Sequence, residues 1–222
     1  GCRGGLVKFD GARFEQQPIA STLPNNTVQA LACSAGRDVV YCGTDQGIMR
    51  LLAGRWTAIT ANEGLPAESV HAVALDPAGH VWLGTAQGAV EMSETEWVVR
   101  KTEQGWANNY VHCLVIEPSG RVWAGTNAGV NLYSDGRWRT FRKSDGLPSD
   151  TVLSLALDPG GPVWFGTDRG VARYDGERSV RFGKAAGLAD DTVRAILVDS
   201  KSRVWFGTQA GGVSRYDGKT WT

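Results

Sequence analysis

A Gly-Thr pair recurs at Gly43-Thr44, Gly84-Thr85, Gly125-Thr126, Gly166-Thr167 and Gly207-Thr208, each step being 41 residues. An isolated Gly-Thr carries no information, but five at one spacing mark a tandem repeat, which is read before any local pattern. The flanks repeat with it. An aromatic stands two residues before the Gly at Tyr41, Trp82, Trp123, Trp164 and Trp205. A second Gly follows at Gly47, Gly88, Gly129 and Gly170, and the last copy carries an insertion with Gly211-Gly212. Asp-Gly pairs and another tryptophan come next, then a loop such as EGLPAESV, DGLPSDTV or AGLADDTV.

Within 151–182 the runs TVLSLALD, PVWFGT, GVARYD and RSVRF are short and rich in β-branched or aromatic residues, with Gly, Pro or Asp at their ends. Each reads as a strand. The Asp-Gly dipeptides suit tight hairpins, where positive φ is cheapest. No stretch shows a capped 3.6-residue period, which disfavours the helical repeats of similar length. Four antiparallel strands in about 40–45 residues is the size of a propeller blade. The chain is therefore expected to be an all-β propeller of four-stranded blades, in which each sheet is packed on both faces. That explains the first strand, A, a nearly continuous apolar run, and the aromatic of the second strand, B, which fills the wedge between blades.

Strand A opens at Val28, Val70, Val111, Val152 and Val193, giving five complete blades expected at 26–60, 69–102, 110–143, 151–184 and 192–222. Residues 1–11 align without a gap on 166–176, so 1–17 reads as a partial blade with strands C and D only. All of 1–222 is expected to form one domain. A propeller ring must close, or apolar faces remain open. Three outcomes satisfy this: a longer propeller, a five-bladed ring with a spare hairpin, or self-association through the unpaired strands.

The 222 residues carry 23 Lys plus Arg and 23 Asp plus Glu. Zero net charge argues against nucleic acid as a partner. The densest basic group, Arg137, Arg139, Arg142 and Lys143, reads as a solvated strand edge. No apolar run approaches the roughly 18–20 residues of a membrane span, and the first residues show no signal-peptide pattern. Cys2, Cys33, Cys42 and Cys113 have no metal-ligand spacing. Cys33 and Cys42 fall two residues out of opposition, so they read as core thiols. Cys2 occupies the Thr position of the repeat.

The pattern VWFGTDRGVARYDG, then an aromatic, then DGLPSDTVLSLALD, resembles the two-component regulator propeller repeat of bacteria, and the resemblance runs over essentially the whole chain. The GLP step departs from it at Gly105-Trp106-Ala107 and Thr22-Leu23-Pro24. The resemblance implies a sensor-type module, outside the cytoplasm, with carbohydrate-type ligands. Relatives of this kind occur in membrane histidine kinases, in cyclic-dinucleotide cyclases and in secreted or surface proteins. No kinase, receiver or membrane segment is legible here.

In a propeller the D-to-A and B-to-C connections meet on one face around the channel, and a site is expected where the repeat varies. The residue after the opening Val is Gln29, His71, His112, Leu153 and Arg194 in turn. Four of the five are polar and form a candidate ring of ligand contacts. The B-to-C turn offers Asp45-Gln46, Ala86-Gln87, Asn127-Ala128, Asp168-Arg169 and Gln209-Ala210; Asp45, Asp168 and Arg169 are the candidates there. The D-to-A loop ends in Asn25-Asn26, Ala67-Glu68, Asn108-Asn109, Ser149-Asp150 or Asp190-Asp191, whose side chains are expected to bond nearby backbone. One loop carries Trp106 and Tyr110, two aromatics placed to stack on a sugar or peptide. His71 and His112 lack a third metal ligand, and no metal or other cofactor is expected. The expected function is non-catalytic binding of a small polar or saccharide ligand or of a protein partner. The alternatives are a lyase or hydrolase using His71 or His112 with Asp150 or Asp191, and a structural scaffold. No nucleophile motif occurs, and His80 falls on the opposite face.

Overall fold

The computed structural model describes residues 5–17, 27–34, 39–66, 68–93, 96–100 and 106–222. Cys2, Asn25-Asn26, Ala67 and Gly105 lie outside the described residues. Contacts divide the chain into two compact units: 1–101 with 109–111, and 102–108 with 112–222.

In the first unit, β1 (Val7–Phe9) and β2 (Phe14–Gln16) form a two-stranded antiparallel sheet. Two four-stranded sheets follow in chain order. One is β3 (Val28–Ser34), β4 (Val39–Thr44), β5 (Gly47–Leu52) and β6 (Arg55–Ile59). The other is β7 (Val70–Leu75), β8 (Val81–Thr85), β9 (Gly88–Met92) and β10 (Trp97–Arg100). The second unit holds the sheet of β11 (Val111–Ile116), β12 (Val122–Thr126), β13 (Gly129–Ser134) and β14 (Arg137–Phe141), and that of β15 (Val152–Leu157), β16 (Val163–Thr167), β17 (Gly170–Tyr174) and β18 (Ser179–Phe182). Its last sheet has three strands, β19 (Val193–Val198), β20 (Val204–Thr208) and β21 (Val213–Tyr216). The fourth strand expected there is reduced to a bridge between Tyr216 and Trp221, because only residues 221–222 pair with β21. The architecture is that of four-stranded antiparallel blades, one per repeat.

The fixed residues of the repeat have visible tasks. Each Thr of the Gly-Thr pair locks the B-to-C turn: Thr126 Oγ1 donates to the Gly129 carbonyl at 2.8 Å and accepts from the Ala128 N–H at 3.1 Å. Thr44, Thr85 and Thr167 repeat the bond to Gly47, Gly88 and Gly170 at 2.8–3.0 Å. The preceding Gly makes room for the next sheet. A Cβ at Gly43 would stand 2.8 Å from the Val70 carbonyl, and one at Gly125 would stand 2.9 Å from Val152 Cγ1.

A strand-B aromatic sits in three of the inter-sheet clusters. Trp164 packs among Ile196, Val198, Val204, Tyr216 and Trp221 of the following sheet. Trp123 packs among Leu155, Leu157, Val163 and Tyr174. Tyr41 does the same in the first unit among Val73, Leu75, Val81, Met92 and Trp97. Four corresponding positions recur in all three clusters, and the fifth, Trp97 or Trp221, is Ser179 beside Trp123, so one socket is used repeatedly. Trp82, Trp123 and Trp164 are fully buried, each removing on the order of 150–250 Å² from water. The A strands follow suit: β15 is buried along most of its length, whereas β3 and β19 alternate between covered and open residues.

Cys33 pairs with Val40, and Cys42 with Leu31, so the two thiols are out of register in the ladder. Burial pushes the thiols of Cys42 and Cys113 up to about 12.

Candidate functional site

The position after the opening Val is where strand A leaves regular pairing. The ladder skips one residue between Val28 and Ala30, Val70 and Ala72, Val152 and Ser154, and Val193 and Ala195. Gln29, His71, Leu153 and Arg194 are therefore bulge residues, and a bulge re-aims its side chain out of the sheet. His112 occupies the same slot of β11. The variation along the repeat thus falls on side chains released from the ladder, beside the turn that follows the Gly-Thr pair.

In the first unit these side chains form a chain of contacts. Gln29 Nε2 donates to Asp45 Oδ1, its own sheet's turn residue, and approaches Ser69 Oγ at 3.4 Å. Gln29 Oε1 accepts from His71 Nδ1 at 2.7 Å, which puts the imidazole proton on Nδ1. The His71 ring stacks on Tyr110, with centroids 4.8 Å apart and planes 18° from parallel. His71 reaches to the neighbouring sheet because its own turn residue is Ala86, which has no side-chain acceptor. Asp45, Gln29, His71 and Tyr110 are thereby brought together.

The second unit repeats the pairing of bulge with turn. His112 Nε2 donates to Asn127 Oδ1 at 2.7 Å. Arg194 donates from Nε and Nη2 to Gln209 Oε1, at 3.2 and 2.6 Å. Between them in sequence, Leu153 cannot bond to Asp168, and Asp168 Oδ1 is enclosed without a partner among the described residues. Arg169 beside it is exposed and spends only its backbone N–H, on Thr167 Oγ1.

Trp106 is placed otherwise than expected. It is 4% exposed, and its indole packs against Trp138 with centroids 4.5 Å apart. It fills the slot that Leu65, Leu147 and Leu188 fill in the other loops, all of them buried. A ring enclosed in this way cannot stack on a ligand, so Trp106 leaves the candidate set and Tyr110 stays in it.

Two polar residues escaped the sequence reading. Asn131 and Ser214 are buried at a strand-C position that is Met49, Val90 or Ala172 elsewhere. Asn131 Oδ1 accepts the Ala107 N–H at 3.0 Å, and Ser214 Oγ accepts the Ala189 N–H at 2.9 Å. In the loops that carry Pro66 or Pro148 there is no such N–H, and the facing residue is apolar. The signal was present as a correlation between Ala or Pro in the loop and a polar or apolar residue 24–25 positions later.

The carboxylates considered for acid–base work hold the loops. Asp150 Oδ1 accepts the Lys143 N–H at 2.6 Å, and Asp191 Oδ1 accepts the Lys184 N–H at 2.9 Å. His71 and His112 are bonded to amides, and His80 lies by Asp76 Oδ2 at 3.0 Å in an A-to-B loop.

Four segments of the chain, 64–87, 105–128, 146–169 and 187–210, match the sequence profile of the two component regulator propeller family. Each runs from the Gly of the loop to the B-to-C turn. No curated protein matches the chain significantly. Among solved structures, the chain is similar to the extracellular domain assigned to the hybrid two component system BT3049 of B. thetaiotaomicron, at 24% identity and a TM-score of 0.72 over 88% of this chain and 28% of that one. It is also similar to PorZ, a surface component of the type-IX secretion system of Porphyromonas gingivalis, at 19% identity and 0.74 over 96% and 36%. Virginiamycin B lyase from Staphylococcus aureus matches at 14% identity and 0.76 over 97% and 74%. The chain thus spans about a third of the first two proteins, and the likeness to all three is one of fold.

Proposed function

From its two component regulator propeller repeats, we propose that this chain is a non-catalytic sensing or binding module whose ligand is a small polar or saccharide molecule. The observation that carries the reading is the bulge slot, polar in four repeats of five and bonded in three of them to the turn beside it. Asp45, Gln29, His71 and Tyr110 would serve the first unit. His112, Asp168, Arg169 and Arg194 would serve the second, where Asp168 Oδ1 has no partner among the described residues. Pre-bonded side chains of this kind hold their orientation before the ligand arrives, which lowers the entropy lost on binding. The proposed location is outside the cytoplasm, in keeping with the family and with two of the three similar proteins.

The test is a thermal-shift screen against a panel of neutral, amino and acidic oligosaccharides. Ligand at 100 times its Kd stabilises the folded state by about 2.7 kcal/mol, a rise of roughly 5–10 °C for a chain of this length. Gln29→Ala and Arg194→Ala, both at exposed residues, should weaken binding at least tenfold while leaving the ligand-free Tm within a few degrees. If no saccharide shifts the Tm, the rim serves a protein partner. If a ligand binds equally well to both variants, the rim is not its site.

A further inference from the structure

A cavity of about 470 Å³ lies between the β15–β18 and β19–β21 sheets of the second unit, beside the A-to-B loops. Asp158, Trp164, Arg173 and Val180 line it from the first sheet, and Ser202 and Tyr216 from the second. One repeat earlier, the matching cavity between the β11–β14 and β15–β18 sheets holds only about 170 Å³. Two side chains account for the difference. Arg121 and Arg139 line the smaller cavity, and their counterparts 41 residues on are Pro162 and Val180. In the smaller cavity the following sheet contributes nothing beyond Gly176, although its fourth strand is complete. Gly218 is the counterpart of Gly176, so the β19–β21 sheet carries every position that lines the larger one.

The neighbouring repeats show what the missing arginine does. Arg121 donates from Nε and Nη2 to Glu117 Oε2 at 2.9 and 2.6 Å, and the Trp123 indole donates to Glu117 Oε1 at 2.6 Å. The last sheet builds the same triad. Asp199 Oδ2 accepts from Arg203 Nε at 2.7 Å and from Trp205 Nε1 at 3.0 Å. The β15–β18 sheet keeps the acid and the indole but not the cation. Its loop closes as the others do, with the Asp158 N–H on the Pro162 carbonyl at 2.8 Å, against 2.9 Å for Glu117 on Arg121 and for Asp199 on Arg203. Proline, however, brings neither a guanidinium nor an N–H. Asp158 Oδ1 accepts from the Gly160 N–H at 3.0 Å. Trp164 is 1% exposed, and its Nε1 has no partner among the described residues. An enclosed donor without an acceptor is unfavourable, and the acceptor used in the sister repeats is one side-chain rotation away.

We propose that this cavity is a binding site for a guanidinium group. The ligand's planar cation takes the place that Arg121 and Arg203 hold in the neighbouring repeats. It forks onto the Asp158 carboxylate, and the carboxylate so held accepts the Trp164 N–H. Arg173 does not oppose this. Its counterpart Arg215 and the triad residue Arg203 stand with Cζ at 5.8 and 5.7 Å from the Trp205 ring centroid, so one indole accommodates two such cations. An anion would face the Asp158 carboxylate, and a primary ammonium lacks the planar fork. The site is at the other end of the sheets from the rim and does not rest on the rim's function.

The experiment is calorimetry on the full chain with propylguanidinium, the analogue of an arginine side chain. Binding should be saturable with a Kd of about 1 mM or tighter, and butylammonium should bind at least tenfold more weakly. Asp158→Asn, which keeps an acceptor for the Gly160 N–H, should weaken propylguanidinium binding at least tenfold. Pro162→Arg should abolish it by supplying the guanidinium from within the chain, whereas Pro162→Ala should retain it. All three variants should keep their Tm within a few degrees of the parent. Tighter binding of N-acetylarginine methylamide than of propylguanidinium assigns the site to an arginine of a polypeptide, and weaker binding assigns it to a free guanidino compound. The proposal is overturned by absence of saturable binding at about 10 mM, by equal binding of butylammonium, or by undiminished binding to Pro162→Arg.

Discussion

The bond between Ala107 and Asn131 can be tested by a thermodynamic cycle. Asn131 is fully buried, and its Oδ1 accepts from the Ala107 N–H at 3.0 Å and from Thr140 Oγ1 at 2.9 Å. Asn131→Val copies Val90 and strands a backbone donor. A buried donor without an acceptor costs about 1–3 kcal/mol. The buried Nδ2, which has no partner among the described residues, disappears with the side chain and offsets part of that loss. Ala107→Pro removes the donor instead. The backbone there accepts proline, since Leu65-Pro66 and Leu147-Pro148 occupy the same step of the loop, and Asn131 keeps its bond to Thr140. That single change should lie within about 1 kcal/mol of the parent, any gain coming from a stiffer unfolded chain. The double variant reproduces the Pro66 and Val90 pair and should recover most of the loss. Urea unfolding followed by tryptophan fluorescence gives all four stabilities, and the coupling should be about 1–3 kcal/mol. Additivity within about 0.5 kcal/mol would refute the claim that the polar residue exists to satisfy that N–H.

Gly125→Ala should cost about 1–3 kcal/mol by overpacking, because its Cβ would stand 2.5 Å from Cys113 Sγ and 2.9 Å from Val152 Cγ1; Gly207→Ala, whose nearest neighbour is 3.5 Å away, should be close to neutral in the same denaturation assay. In the unliganded chain iodoacetamide should modify Cys33 well before Cys42 and Cys113, whose thiols burial pushes up to about 12; equal rates at neutral pH would show that these sheets open together. The Trp205 indole, with Arg203, holds the Asp199 carboxyl well below the usual carboxylate range. A depressed folded-state pKa adds stability above the unfolded value of about 3.9 and loses it as pH falls toward the folded value. Asp199→Asn should therefore lower Tm at pH 7, by an amount that shrinks once the pH drops below about 4.

The difference between what the chain discloses and what it hides follows from how the repeat works. Gly125 and Thr126 are legible because their tasks recur and so survive as a period, the locked turn in every copy and the close approach in all but the one at Gly207. The strand-B aromatics are legible for the same reason. The rim was legible as a set of variable positions, but its geometry was not: a strand read with period 2 gives no sign that Gln29 and His71 sit on bulges. Nor does it show that Ala86 turns His71 toward Gln29. Trp106 was misread because a loop aromatic looks exposed until its slot is compared with Leu65 and Leu147, where the loop's one apolar residue is the one that goes inside.

Strands β3 and β4 illustrate the deeper reason. Leu31, Cys33 and Val40 carry the same kinds of side chain as Val73, Leu75 and Val81, so a periodic sequence assigns both sets to a packed interface. Burial, however, belongs to pairs of sheets and not to a repeat unit. A repeat can therefore keep the residues of an interface while leaving some of them open, as Leu31 is, and only coordinates separate the two cases. The same logic limits the rim: Leu153 reads as one apolar residue in a polar set, yet its consequence is an Asp168 Oδ1 left without a donor among the described residues. In a repeat protein, then, function is most readily sought where one copy lacks a contact that the others make. Asp168 is identified in that way.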